Sequence, residues 1–304
     1  MFGKFFLDKI QDIRNQIVGD STITDADPAT ACIFSMFAEV SVKAVKSTIT
    51  ASNSKTCPLD PFPTSLLKDC IDSLAPVIAY LVNASFSCGV FPSALKHVRV
   101  TPILKKDGLD PEVFKNYRPI TNLPFLSKVL EKCALCQRYS YLLQNDLFPG
   151  SQSAYRKDNS TETALLRITN DILQATDKLK DTILVLLDLS AAFDTIDHEV
   201  LLNRLNQRFG FRDLALKWLA SYLADRRQCV PIRSAVSVDS QLCFGVPQGS
   251  VLGPVLFSPC MLLQLRISSF RMAFVPCSML MIVRFTSQCG LEIEMYPSVK
   301  LKIV

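Results

Sequence analysis

Thr182-Ile-Leu-Val-Leu-Leu-Asp188 is an unbroken apolar run that ends on a carboxylate. A strand with one wet face would alternate apolar and polar residues, so this run predicts a strand covered on both faces. An acid delivered at the end of such a strand is costly unless something neutralises its charge. Two helical patterns follow downstream. Leu201, Leu205 and Phe209 keep one helical face that Gly210 ends, and Asp213 predicts the cap of a further helix carrying Leu214, Trp218 and Tyr222 at four-residue spacing. Asp194 and Asp197 stand at the helix entry and are expected to cap it.

Composition narrows the chemistry. The 304 residues are 49% hydrophobic and 20% charged, with a formal net charge of +5, which suits one large domain or two small ones. The 11 cysteines are scattered without the dense spacing of a disulfide framework, so no disulfide-linked partner is expected. Met1 opens no secretory leader, and the richest apolar stretch, Val251 to Leu265, is broken by Pro254, Ser258 and Pro259. No membrane span is expected. With only His97 and His198, histidine-based nucleophilic and zinc chemistry is poorly supplied, so a metal would be held by carboxylates, as Mg2+ prefers. Cys133-Ala-Leu-Cys136 has no partner pair and no nearby histidine, which argues against zinc there.

Along the chain, residues 1–57 form a leader with one short amphipathic helix (Phe5, Phe6, Ile10, Ile13) and a Ser/Thr/Asn/Lys linker from Ser47 to Thr56. After the proline-rich Pro58 to Pro63, Thr64 or Ser65 predicts the cap of a helix to about Ser73. A second helix starts with Pro76 in its first turn and stops near Gly89. Val98 to Lys106 reads as a strand running into a turn, Asn116 to Ile120 as extended, and a helix begins near Ser127. Lys96, Arg99, Lys105, Lys106, Lys115 and Arg118 make this region basic. Gln228 to Leu242 predicts a β-hairpin. Beyond it, Gly245-Val-Pro-Gln-Gly-Ser-Val-Leu-Gly253 packs three glycines into nine residues, a loop that lets backbone approach a ligand closely.

Four of these segments stand in a telling order: Thr101-Pro-Ile-Leu-Lys-Lys106, Asn116-Tyr-Arg-Pro-Ile120, Leu187-Asp-Leu-Ser-Ala-Ala-Phe-Asp194 and Gly245-Val-Pro-Gln-Gly-Ser250. Together with Gln152-Ser-Ala-Tyr-Arg156, Ser160-Thr-Glu-Thr163 and Trp218-Leu-Ala-Ser-Tyr-Leu223, the region from Pro58 to Phe257 resembles the reverse transcriptase of LINE-type (non-LTR) retrotransposons, in the jockey, CR1 and L2-like branch. The resemblance implies an α+β right-hand polymerase, with an antiparallel palm sheet backed by helices. Residues 58–180 would be fingers-like, 181–257 palm-like and 258–304 an off-family tail, with the thumb missing.

The implied reaction is template-directed nucleotidyl transfer, RNA-directed DNA polymerisation, with two Mg2+ ions. Its partners would be an RNA template, a DNA primer and deoxynucleoside triphosphates. Asp188 matches the first metal-binding aspartate and Phe193 the bulky gate that selects deoxynucleotides. Lys105 or Lys106 and Arg118 match the residues that hold the triphosphate. Gln248 and Gly249 match the loop lying against nucleotide and template base.

The family also needs an aromatic-Ala-Asp-Asp hairpin about twenty residues beyond Phe257, and this chain has none; between Val255 and Val304 the only acids are Glu292 and Glu294. Ser278-Met-Leu-Met-Ile282 stands there instead. Codons of the form TAY-GCN-GAY-GAY, read one base late, give AYG-CNG-AYG-AY, which can spell Met-Leu-Met-Ile. The expectation is a reading frame that slips between about Phe257 and Cys277, a tail unmatched to its surroundings, and a polymerase inactive as it stands. Two alternatives follow: a non-catalytic fragment that grips RNA or DNA through Arg99, Lys105, Lys106 and Arg118, or a translated pseudogene that never folds stably.

Overall fold

The structure is a computed structural model that describes residues 2–15, 30–55, 57–148, 152–179, 183–189, 193–232, 235–256, 272–275, 280–285 and 299–303. In chain order the elements are α1 (Phe2–Asn15), α2 (Val42–Thr50), α3 (Thr64–Asp69), α4 (Ile71–Cys88), β1 (His97–Leu104), β2 (Tyr117–Asn122), α5 (Phe125–Gln144), α6 (Thr161–Asp177), β3 (Ile183–Leu189), α7 (His198–Gln207), α8 (Asp213–Leu223), β4 (Arg227–Cys229), β5 (Pro231–Ile232), β6 (Ala235–Val236), β7 (Ser240–Gln241), β8 (Met272–Val275), β9 (Leu280–Phe285) and β10 (Val299–Ile303). Two compact units result. The first comprises Met1–Gln11, Ile23–Leu147 and Phe193–Gly253, the second Asp12–Thr22, Phe148–Ala192 and Pro254–Val304.

The first unit joins a sheet of order β2-β1-β4-β7 to helices. β1 and β2 run antiparallel, Leu104 opposite Tyr117, whereas β1 and β4 run parallel, Arg99 opposite Cys229. The predicted hairpin is present as β4 paired with β7 around the smaller β5–β6 pair. Trp218 of α8 is fully buried. Phe37, Phe86 and Phe91 meet its ring edge-on at 5.2, 5.4 and 5.5 Å, and its indole N–H donates to Ser85 Oγ at 2.9 Å. Edge-to-face aromatic packing with a satisfied indole gives a defined core.

Several boundaries differ from the sequence reading. The first residues of the supposed linker, Ser47 to Thr50, belong to α2, which forms because Val45 and Ile49 are four apart and both buried. Ser41, not a linker residue, caps it by accepting from Ala44 N at 3.2 Å. Neither Thr64 nor Ser65 caps α3; Pro63 holds that position, and Thr64 Oγ1 donates to Lys55 O instead. Pro76 lies inside α4, whose first residue is Ile71, while Gly89 ends it in the left-handed region, φ 64°. Packing overrides the missing N–H: Ala75, Ile78, Ala79 and Val82 are all buried. By length and composition alone α4 is also long and apolar enough to cross a membrane. Asp213 is the first residue of α8 rather than its cap, which is Arg212.

The second unit holds α6, opened by a capping box in which Ser160 and Thr163 each satisfy the other's backbone N–H. Its sheet has the order β10-β3-β9-β8. The apolar run is the strand β3, and Asp188 lies one residue from its C-terminal end. Three strands of this sheet come from the chain beyond residue 257. The architecture is a mixture of helices with antiparallel and mixed sheets, compatible with a polymerase fold.

Candidate functional site

Within the first unit, three motif segments meet. The glycine-rich loop is laid against the chain that precedes α7: Val246 N donates to Phe193 O at 2.8 Å and Gly245 N to Ile196 O at 2.8 Å, while His198 Nε2 lies 2.7 Å from Gly245 O. It is then laid against β2, where Thr121 N donates to Gln248 O at 2.7 Å. Two of its three glycines are forced by this closeness. Gly245 (φ +78°) has room for no Cβ, which would lie 2.5 Å from Phe193 O; at Gly249 (φ +115°) a Cβ would lie 2.6 Å from Thr121 O.

Gln248 is held twice, by its carbonyl as above and by its side chain, whose Nε2 donates to Asp194 Oδ1 at 2.7 Å. Asp194 is therefore not a helix cap, contrary to the sequence expectation. Asp197 alone caps α7, its Oδ1 accepting from Glu199 N at 2.9 Å and Val200 N at 3.3 Å. Burial pushes the Asp194 carboxyl above its ordinary value, while the Gln248 bond and the positive charge of Lys9 act the other way. Beside this pair is a cavity of about 30 Å³, walled in part by Phe6, Lys9, Thr121 and Pro247. That is room for a water, not for a nucleotide.

Lys105, Lys106 and Arg118 are exposed. They belong to one end of the β1–β2 hairpin: Arg118 is opposite Ile103, and Lys105 follows Leu104. Lys105 N donates to Asn116 O at 2.8 Å, and its ammonium donates to Lys115 O at 2.6 Å. Phe193, Gln248 and Gly249 are brought together, and the three cations share a hairpin. Asp188 belongs to the second unit.

Among the described residues, the two strands paired with β3 bring no carboxylate into register with Asp188. Lys300 of β10 is opposite Asp188 in register. On its other side β9 aligns Met281 with Leu187 and Ile282 with Leu186, and its sequence Leu-Met-Ile-Val-Arg-Phe contains no oxygen ligand. Two cations 3.5–4 Å apart need several oxygen donors, and the sequences of these two strands, β9 and β10, hold no carboxylate. Elsewhere, His97, Cys229 and Asp239 have ligand atoms within 4.8 Å of one another. Asp239 there accepts from His97 at 2.7 Å and from Arg227 at 3.1 Å, so this cluster is an ion-pair network in which an arginine already holds the place of a cation.

One contributor had no sequence flag. Glu131 of α5 is fully buried, and its Oε2 accepts from Val251 N at 2.7 Å and Leu252 N at 3.1 Å. The available signal was its phase: Ser127, Glu131, Ala134 and Arg138 all lie on the buried side of α5, so an acid stands in step with the core-facing face.

Comparison with known proteins gives the family. Residues 103–274 match the family described as Reverse transcriptase (RNA-dependent DNA polymerase). Among curated relatives from Drosophila melanogaster, the probable RNA-directed DNA polymerase from transposon BS is 33% identical over 181 residues, covering 60% of this chain and 20% of that protein. The probable RNA-directed DNA polymerase from transposon X-element is 31% identical over 252 residues, covering 83% and 26%. The RNA-directed DNA polymerase from mobile element jockey is 29% identical over 187 residues, covering 62% and 20%. The chain thus spans about a fifth to a quarter of the length of the curated relatives it matches. With more than half its length matched, the chain belongs to the reverse transcriptase family, as a domain of the LINE-type retrotransposon kind.

Proposed function

We propose that this chain is the fingers and palm of a retrotransposon's RNA-directed DNA polymerase, and that as it stands it grips primer–template and nucleotide without joining them. The observation that carries the reading is the junction of Phe193, Asp194, Gln248 and β2, which turns three separated sequence motifs into one surface. On this surface Gly249 leaves its backbone unshielded by a side chain, Gln248 is fixed beside a base pair, and Phe193 is the gate against a ribose 2'-OH. Lys105, Lys106 and Arg118 supply cationic donors for the triphosphate. The basic hairpin, with Arg99, also suits the nucleic-acid backbone, whose binding falls with salt.

Transfer itself is where the chain falls short. In the family, metal ions stabilise the attacking and leaving oxygens. Here Asp188 is opposite Lys300 in register, and the strand beside it carries Leu280, Met281 and Ile282 where carboxylates are needed. The out-of-frame reading of Met-Leu-Met-Ile accounts for that replacement. The test is a primer-extension assay beside a binding assay, with an RNA template and a recessed DNA primer. Salt-dependent binding without extension is expected; extension overturns the inactivity, and absence of binding overturns the function.

A further inference from the structure

Glu131 is an expensive residue to bury. It is 0% exposed, and a carboxylate in an apolar interior can cost as much as a whole domain's margin of stability unless its oxygens are satisfied. Here they are. Ser127 Oγ donates to Oε1 at 3.0 Å, and Oε2 accepts from Tyr222 Oη at 3.3 Å, Val251 N at 2.7 Å and Leu252 N at 3.1 Å. Burial, with the Glu131 charge behind it, pushes the Tyr222 hydroxyl well above its ordinary range, so it stays a donor.

The two amides it holds lie where the glycine-rich loop gives way to the helical turn at residues 253–256. Amides at such a start have no partner within the helix. Ser250 completes the set: its Oγ accepts from Gly253 N at 3.0 Å and donates to Pro247 O at 2.8 Å. The loop is consequently fixed at both ends, by the segment before α7 and β2 on one side and by Glu131 on the other, with Gln248 and Gly249 between.

We infer that Glu131 is a positioning residue for nucleotide binding, holding Gln248 and Gly249 at their working height through the amides of Val251 and Leu252. The assignment rests on the function proposed above. A residue serving stability alone would, on replacement, weaken every binding event together. Glu131 acts on one side of the site only, because its hydrogen bonds go to Ser127, Tyr222, Val251 and Leu252 and not to the hairpin of Lys105, Lys106 and Arg118.

The experiment uses the full chain, its Glu131→Gln and Glu131→Ala variants, and Tyr222→Phe, which removes one bond to Glu131 but leaves the loop amides held. Three quantities are read: deuterium exchange of the segment 250–253, affinity for a dideoxy-terminated primer–RNA template, and affinity of that complex for the next complementary dNTP. In Glu131→Ala, loop exchange and nucleotide dissociation both rise about tenfold or more, with affinity for primer–template unchanged. Glu131→Gln, which keeps an acceptor oxygen, falls between, and Tyr222→Phe resembles the parent. Unchanged loop exchange in a folded variant overturns the assignment, as does an equal loss of duplex and nucleotide affinity. Should Glu131→Ala not fold, the isosteric Glu131→Gln decides by the same criteria. A parent chain that binds no primer–template contradicts the proposed function, while the exchange data still decide whether Glu131 sets the loop.

Discussion

Gln248 donates its side-chain amide to Asp194 Oδ1 at 2.7 Å, tying the glycine-rich loop to the residue that follows the candidate gate, Phe193. Because burial raises the Asp194 carboxyl above its ordinary value, the folded chain keeps this proton at pH values where the unfolded chain has lost it. The native state then binds more protons, so stability falls as pH rises from the ordinary carboxylate range through the raised folded value, and stays lowered above it. Asp194→Asn keeps the acceptor for Gln248 and removes the penalty. It is expected to be more stable than the parent at neutral pH, where the unfolded parent chain has lost the proton that burial favours in the fold. Urea unfolding at pH 4 and pH 7 checks this; an unchanged difference between the two pH values for the variant contradicts it.

Gly249 combines a φ of +115° with an absent Cβ that would lie 2.6 Å from Thr121 O. Gly249→Ala therefore suffers both strain and collision, and is expected to lose about 2 kcal/mol or more of stability. The unfolding midpoint is the readout, and an unmoved midpoint argues against this loop conformation.

Among the described cysteines, Cys70, Cys88, Cys136 and Cys243 are exposed, whereas Cys57, Cys133 and Cys229 are buried. Burial, followed by the nearby Cys136, pushes the Cys133 thiol up to about 11. Thiol labelling at pH 8, read by mass spectrometry, is expected to modify the four exposed cysteines at least about tenfold faster. Equal rates at Cys133 and Cys136 contradict this packing of α5.

Alanine at Lys105, Lys106 and Arg118 together is expected to weaken primer–template binding and flatten its salt dependence, by about 0.7 to 0.9 in log–log slope for each phosphate no longer neutralised. An unchanged slope removes these residues from the surface that meets the nucleic-acid backbone.

Legibility in the sequence followed how local the signal was. The apolar run of β3, the stop at Gly89 and the dense glycines of the Gly245–Gly253 loop each announce themselves within a few residues. So do the cations of the β1–β2 hairpin. Asp194 was misread because an acid before a helix ordinarily caps it, and only the fold shows that Gln248, 54 positions away, claims it instead. Glu131 was invisible for the same reason: its partners Val251 and Leu252 are distant in sequence. The helix α2 was missed because two buried residues, Val45 and Ile49, outweigh a polar surround that reads as linker.

Central to the proposed function is the descent of the strand beside Asp188 from a catalytic hairpin read out of frame. The most direct test is the nucleotide sequence of gene and transcript across the codons for Gly253 to Gly290, read in all three frames. A neighbouring frame is expected to carry an aromatic-Ala-Asp-Asp codon series over the codons for Met279 to Ile282. A sequence in which no frame encodes that Asp-Asp pair contradicts it.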